Sequence, residues 1–235
     1  MPYGYYGYYF DPTYILIIIA AIISLIAQWR VNSAFSKYSR VASMSGMTGA
    51  QAARMILQSN GINDVSVQRI SGKLTDHYNP STKVLNLSES VYGSTSVAAI
   101  GVAAHECGHA IQHARHYVPL TVRSAIIPAA NIGSSLAWPL VLIGLIIPRL
   151  DFCMTIGILL FSIVVILQLV TLPVEFNASR RAIQIIRDSG YLAPDELKGA
   201  KSVLKAAAMT YVAAMVSVSL QLLRLVILRN SRDDN

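Results

Sequence analysis

The stretch SVAAIGVAAHECGHAIQHARHY (residues 96–117) places His105, Glu106 and His109 in the pattern H-E-x-x-H within a run typical of a helix. Residues four apart lie on one face of a helix, so both histidine rings can face one metal ion. Glu106 is rotated by about 100° from His105, at the edge of that face. There its carboxylate can take a proton from a zinc-bound water, whose pKa is lowered toward about 7. The pattern predicts zinc-dependent hydrolysis, with His105 and His109 as ligands and Glu106 as general base.

The alternative interpretation is a helix whose His/Glu cluster does nothing chemical. The preceding run VAAIGVAA consists of small and apolar residues, which indicates a buried helix. Burying two histidines and a glutamate without partners is costly. Gly108 and Ala110 also leave room for another element to approach closely. These features favour a metal site.

A catalytic zinc ion needs a third protein ligand and an open fourth position. His113 follows His109 by four residues, but three histidines on consecutive turns span about 12 Å along the axis, too far for one ion. His116 would require the helix to break first. Both are interpreted as polar-face residues or substrate contacts. Glu175, in LPVEFNASRRAIQ, follows a long uncharged segment and is either the third ligand or a marker of the membrane boundary. The need for a third ligand favours the first.

The composition indicates an integral membrane protein. Of the 235 residues, 54% are hydrophobic and only 13% are charged, whereas soluble domains carry about 25% charged residues. The apolar residues are concentrated in four segments long enough to cross a bilayer. These are residues 14–29, 124–147, 152–174 and 203–228. The predicted fold class is therefore a mainly α membrane protein, with about four transmembrane helices and a small α+β module.

The charge pattern predicts the orientation. Segments rich in Lys and Arg remain in the cytoplasm, and such residues concentrate in residues 30–123 and 175–205. The protein is predicted to be a multi-pass protein of the cell membrane with its active site facing the cytoplasm. The tyrosines of the uncharged start MPYGYYGYYF suit the water–lipid boundary. The net charge of +7 is explained by these loops and calls for no nucleic-acid partner.

Five sections are predicted along the chain. Residues 1–29 form a tail and the first transmembrane helix, and residues 30–123 a cytoplasm-facing module with the H-E-x-x-H helix. Residues 124–174 form a transmembrane hairpin, residues 175–202 a third-ligand helix and loop, and residues 203–235 the last transmembrane helix and tail.

The module begins with a helix and continues with strands. Thr48 and Gln51 form a predicted capping box, and Gly61 is placed to end that helix. VSVQRI (65–70) and KVLNLS (83–88) alternate like strands, with a turn near Pro80. KVLNLS is either an ordinary structural strand or an exposed edge with which an extended substrate pairs beside the metal helix. Cys107 is rotated by about 200° from His105 and is predicted to pack in the core.

The sequence resembles a known family, the membrane-embedded neutral zinc metallopeptidases of the YugP type. They belong to the gluzincin group, which also includes the HtpX-like and CAAX-prenyl-type membrane proteases. The resemblance rests on HECGHAIQH, on LPVEFNASRRA, and on the order of span, strands, metal helix, hairpin, acid helix and span, and it covers nearly the whole chain.

The resemblance implies one Zn²⁺ per chain, held by His105, His109 and Glu175, with Glu106 as general base. The wider group reads E-x-x-A-D after its hairpin, with an aspartate that orients the first histidine. Here Ser179 stands in its place, as a neutral and weaker acceptor. Asn177 is a second candidate for orienting the ligands.

The predicted function is a membrane zinc metalloendopeptidase that acts on proteins or peptides at the membrane, with an undetermined oligomeric state. The candidates for contacting the substrate are His77, Tyr78, Arg180 and Arg181. Three alternatives stay open: a catalytically silent zinc scaffold, a membrane protein that needs no metal, and a hydrolase of non-peptide amides or esters. A fourth protein ligand such as His77 would favour the scaffold, because structural zinc sites are closed.

Overall fold

The computed structural model describes residues 11–233, which are mainly helical. Within this range the α-helices are α1 (Tyr14–Tyr38), α2 (Gly49–Ser59), α3 (Glu89–Tyr92), α4 (Val97–Ala114), α5 (Val118–Ile146), α6 (Asp151–Asp188) and α7 (Pro194–Asp233). A 3-10 turn, Pro148–Leu150, joins α5 to α6. The strands are β1 (Ser66–Ile70), β2 (His77–Asn79) and β3 (Val84–Ser88). The predicted role of the first ten residues at the lipid boundary lies outside the described residues.

Four helices, α1, α5, α6 and α7, are long and apolar enough to cross a membrane. Their outward faces carry large exposed apolar side chains, for example Leu25 and Ile146, which are 69% and 74% exposed. A helix satisfies its own backbone hydrogen bonds, so such faces are stable against lipid. The predicted mainly α membrane fold with four spans and a small α+β module is confirmed.

The helices extend beyond the predicted spans. The clearest case is α6, which continues without interruption through the predicted boundary at residue 175. Beyond that boundary Ala178, Ala182 and Ile186 are buried. Spacing by four residues keeps these side chains on one stripe. The second arm of the hairpin and the predicted acid helix are therefore parts of one continuous helix.

Three glycines allow α5 and α6 to pack closely in the membrane hairpin. A Cβ atom added to Gly133 would lie 2.8 Å from the Leu160 carbonyl oxygen, and one added to Gly144 would lie 2.5 Å from the Met154 backbone nitrogen. A Cβ atom added to Gly157 would lie 2.7 Å from a Val141 methyl. Small residues promote such helix contacts in lipid, where packing replaces the hydrophobic effect.

The sheet has the order β1-β3-β2, with β1 parallel and β2 antiparallel to β3. The interpretation of KVLNLS as an exposed edge is wrong, because it forms the central strand β3. Leu85 and Leu87 on β3 are fully buried, and an alternating pattern cannot distinguish a central strand from an edge strand. The edge strand that contacts α4 is β2.

The local signals of the module are confirmed. Thr48 and Gln51 form the predicted capping box at the start of α2. Gly61 follows that helix with φ +74°, a conformation that glycine adopts without strain. After β2 the Asn79 side chain accepts a hydrogen bond from the Ser81 N–H at 3.0 Å, which closes the predicted turn.

The helix α4 passes through the centre of the protein. Most of its residues are buried, and the Ser96 side chain caps its first turn by accepting a hydrogen bond from Ala99 N–H at 3.2 Å. Its closest neighbour is α6: a Cβ atom on Gly108 would lie 2.7 Å from the Ala178 carbonyl oxygen. This contact brings the histidines of α4 beside the carboxylate of α6.

We expect Gly108→Ala to lower the free energy of unfolding by about 1–3 kcal/mol, the usual cost of overpacking a core. The obstructing atoms belong to the Ala178 backbone, so α6 must move away from α4. Thermal unfolding in detergent measures the effect. Gly93→Ala is the control, because its added Cβ meets nothing within 4 Å. Equal midpoints for the two variants would contradict the close contact.

Candidate metal centre

Three ligand atoms converge between α4 and α6. Glu175 Oε2 lies 3.3 Å from His105 Nε2 and 3.5 Å from His109 Nε2. The two imidazole rings are nearly perpendicular, with centroids 4.8 Å apart. Among residues 11–231, His105, His109 and Glu175 form a group of possible metal ligands. Each offers one ligand atom, and the three atoms all lie within 4.8 Å of one another.

The geometry fits a zinc ion. Tetrahedral zinc with ligand bonds of about 2.0–2.1 Å holds adjacent ligand atoms roughly 3.3 Å apart, close to the 3.3 and 3.5 Å that separate Glu175 Oε2 from the two histidine nitrogens. The Glu175 side chain is buried, and within the described residues its Oε2 atom accepts no hydrogen bond. A buried carboxylate oxygen without a donor is costly. A cation between the three side chains would satisfy it.

Glu106 lies beside this cluster without belonging to it. Its side chain is held by β2, because the Tyr78 backbone N–H donates a hydrogen bond to Glu106 Oε2 at 3.1 Å. The residue is 8% exposed, and it lines the same cavity as His109 and Glu175. The Glu106 carboxylate is thus fixed beside the His/His/Glu cluster.

The two histidines have separate hydrogen-bond partners behind them. Ser179 Oγ lies 3.1 Å from His105 Nδ1, one turn from Glu175 on α6. Gln112 Oε1 lies 3.0 Å from His109 Nδ1. Metal-binding histidines commonly use their second nitrogen in this way, which fixes the ring orientation.

Gln112 is completely buried and all of its polar hydrogens have acceptors. Its Nε2 donates to the Val174 carbonyl at 2.8 Å and to Asn177 Oδ1 at 3.0 Å. Asn177 Oδ1 also accepts from Arg181 Nε at 2.7 Å. Three side chains therefore form a relay that runs from Arg181 through Asn177 and Gln112 to His109.

This relay determines which His109 nitrogen carries the proton. An arginine guanidinium can only donate, so the Asn177 atom that faces it is the oxygen. The Gln112 atom facing that oxygen must then be the amide nitrogen, which leaves the Gln112 oxygen toward His109. His109 Nδ1 must donate to it, and the Nε2 lone pair is left free for a metal.

We expect Gln112→Met to weaken zinc affinity by about 10–100-fold, the usual effect when a metal-binding histidine loses the hydrogen-bond partner of its second nitrogen. Methionine fills a similar volume but cannot hold the His109 tautomer. Competition with a chelator measures the affinity. The exposed Gln58 on α2 provides the matched control, Gln58→Met. Unchanged affinity in Gln112→Met would show that the relay does not support the site.

A cavity of about 290 Å³ opens over the cluster. One side is formed by His77 and Tyr78 of β2, two of the candidate substrate contacts named in the sequence analysis. The opposite side is formed by Arg123 of α5 and Tyr211 of α7. The site therefore lies between the edge strand of the module and two membrane helices.

The other predicted substrate contacts lie away from this cavity. Arg181 is engaged with Asn177, and Arg180 lines a different groove, between α6 and α7. The predicted polar-face residue His113 is hydrogen-bonded through Nδ1 to the Tyr78 hydroxyl at 2.9 Å. The structure brings together His77 and Tyr78 with the cluster and leaves the two arginines outside.

Gln112, Arg123 and Tyr211 were missed by sequence reasoning, although each leaves a weak signal. Gln112 lies three residues after His109 on a buried helix, where a polar side chain needs a partner. Tyr211 places a hydroxyl inside an apolar span, and polar groups there are often functional. Arg123 lies at the entrance to the second span. None of these signals identifies the partner.

Burial changes the acidity of groups around the site. It raises the pKa of the Asp76 carboxyl above its usual value, although the Ser88 N–H and hydroxyl oppose this. It also raises the pKa of the Tyr78 phenol. Burial raises the pKa of the Cys107 thiol well above normal, helped by the Glu106 charge. Cys107 contacts the Ala53 carbonyl, so it is an inert core residue, as predicted.

Four apolar helices, a buried His/His/Glu cluster and a neighbouring glutamate together are typical of membrane-bound metalloproteins. The chain belongs to the family described as "Putative neutral zinc metallopeptidase", whose model matches residues 13–230. It is 49% identical over 224 residues to the "Putative membrane protease YugP" of Bacillus subtilis (strain 168), covering 94% of this chain and 99% of that protein. No solved structure matches the chain.

Proposed function

We propose that this protein is a membrane zinc metalloendopeptidase that hydrolyses peptide bonds. His105, His109 and Glu175 hold one Zn²⁺ per chain, and Glu106 is the general base. The observation that carries the proposal is the convergence of three ligand atoms on one buried point, with the fixed Glu106 carboxylate in the same cavity.

Zinc at this site would polarise the substrate carbonyl and lower the pKa of water, which are its two standard contributions to hydrolysis. Glu106 takes a proton from the attacking water and transfers it to the nitrogen of the scissile bond. The water oxygen bonds to the carbonyl carbon, the C–N bond breaks, and an acid and an amine result. The hydrogen bond from Tyr78 N–H keeps the Glu106 carboxylate in place.

The developing charge on the carbonyl oxygen needs a donor. The Tyr211 hydroxyl and the Arg123 guanidinium are the donors on the membrane side of the cavity, and His77 lies on the module side. We assign this role to Tyr211 and Arg123 rather than to Arg180 and Arg181, which were predicted to contact the substrate. Ser179 orients His105 through a direct hydrogen bond. Asn177 and Arg181 orient His109 through Gln112.

The helices that form the cavity walls indicate which class of substrate can reach the site. Two walls belong to helices that cross the membrane, so a substrate in the cavity lies at the membrane surface. Membrane proteins or peptides bound to the bilayer meet this condition. The Lys/Arg-rich segments on the module side favour a cytoplasmic orientation of the site. In this proposal the predicted section 30–123 supplies the histidines and the predicted section 175–202 supplies the third ligand.

The rival function, a silent zinc scaffold, requires a fourth protein ligand. In the described range the cluster has three members. The predicted fourth ligand, His77, is engaged elsewhere, with Nδ1 2.9 Å from the Thr75 carbonyl and Nε2 3.1 Å from Asn86 Nδ2. An open coordination position favours catalysis over a structural role.

The test is to measure metal content and cleavage of casein and of membrane-associated peptides by purified protein in detergent. We expect about one zinc per chain and cleavage that a chelator abolishes and added zinc restores. Zinc without cleavage over varied substrates would favour the scaffold. Protein that binds no zinc would overturn the proposal.

A further inference from the structure

A surface groove between α1 and α7 is lined by basic and hydroxyl side chains. Its volume is about 350 Å³, within the range of small-molecule sites. Arg30 and Ser33 of α1 face it from one side, and Ser202 and Lys205 of α7 from the other. The groove is separate from the metal cavity, which has none of these residues in its lining.

No described carboxylate neutralises the cations of the groove. Among residues 11–231, Arg30, Lys37 and Lys205 form no ion pair with a carboxylate. Lys37 lies over the Tyr38 ring, 5.2 Å from its centroid. The lining contains no acidic residue. Three positive charges and two serine hydroxyls therefore line a groove whose lining has no negatively charged side chain.

The position of the groove along the helices identifies its environment. Trp29 lines the groove and is 68% exposed, and exposed tryptophans are typical of the lipid–water boundary. Arg30 follows the uncharged part of α1, and Lys205 precedes the uncharged part of α7. The cations consequently lie at the level of the lipid headgroups, with apolar helix surface beyond them.

We propose that this groove binds the headgroup of an anionic phospholipid. The phosphate contacts Arg30 and Lys205 and accepts hydrogen bonds from Ser33 and Ser202, while the acyl chains lie along Trp29. Basic pockets between membrane helices recognise anionic headgroups in this manner. An acidic peptide would satisfy the charges, but the exposed apolar surface around Trp29 favours a ligand that is itself part of the bilayer.

Trp29 provides a direct reporter. The chain has two tryptophans, so Trp138→Phe leaves Trp29 as the sole source of tryptophan fluorescence. The full-length protein is placed in phosphatidylcholine vesicles that contain equal fractions of brominated phosphatidylglycerol or brominated phosphatidylcholine, whose bromines quench on contact. We expect stronger quenching by the brominated phosphatidylglycerol. Arg30→Gln with Lys205→Gln should lower that preference, by about fivefold for each cation removed.

The matched control is Arg180→Gln with Lys201→Gln. These two cations line the neighbouring groove between α6 and α7, which shares Lys205 with the first groove but contains neither Arg30 nor Trp29. The control therefore removes the same charge nearby while it leaves both proposed phosphate contacts in place. The preference at Trp29 should persist in this control. Equal quenching by the two brominated lipids, or an equal loss of preference in both double variants, would overturn the proposal. The readout does not depend on zinc or cleavage, so it is independent of the proposed peptidase function.

Discussion

Glu106→Gln is expected to abolish cleavage while zinc stays bound. The glutamine keeps the size of the side chain, and its oxygen can still accept the hydrogen bond from Tyr78 N–H. It cannot take a proton from water. We expect the rate to fall by at least about 10²–10⁴-fold, the contribution of a general base. Metal analysis and peptide cleavage, measured on the same purified sample, test this expectation.

The matched control is Glu89→Gln, which removes a carboxylate from the surface of the module, where Glu89 pairs with Arg69 at 3.0 Å. Exposed pairs of this kind contribute little to stability, so this variant should cleave normally. Substantial cleavage by Glu106→Gln would assign the base to another residue. Loss of zinc in Glu106→Gln would mean instead that Glu106 is a ligand.

Glu175→Ala should lose both zinc and cleavage. It removes the carboxylate that both histidines face, and two imidazoles alone hold the ion weakly. The zinc affinity should fall by more than about 10–100-fold, the loss that is expected when a histidine ligand loses its hydrogen-bond partner, as in Gln112→Met. Zinc that binds only the folded state raises the unfolding temperature. The rise seen when zinc is added to wild-type protein should therefore disappear in this variant.

Asp188→Ala is the control on the same helix. Asp188 is exposed and pairs with its neighbour Arg187, so its removal should change neither the zinc content nor the effect of zinc on unfolding. If Glu175→Ala kept one tightly bound zinc, the third ligand would have to be sought elsewhere. His77 and Asp76, which line the same cavity and have side chains that can bind zinc, would be examined next.

The sequence determined the features that depend on neighbouring residues alone. His105 and His109 share a face because they are four residues apart on one helix. The four spans follow from the length of the apolar segments, and the cap formed by Thr48 and Gln51 follows from adjacent positions. Glu175 was selected by chemistry, because a catalytic zinc needs a third ligand. Its proximity to the histidines could not be calculated from its place 66 positions after His109.

The tertiary structure alone decided the features that depend on how elements pack. The contact of Gly108 with Ala178 sets the separation of α4 and α6, and it brings Gln112 and Asn177 into one hydrogen-bonded relay. The central position of β3 makes β2 the edge that holds Glu106. Tyr211 reaches the cavity from the other end of the chain. Periodicity reports which face of an element is apolar, but it cannot identify which partner covers that face. The supporting residues of the site therefore emerge only from the packed molecule.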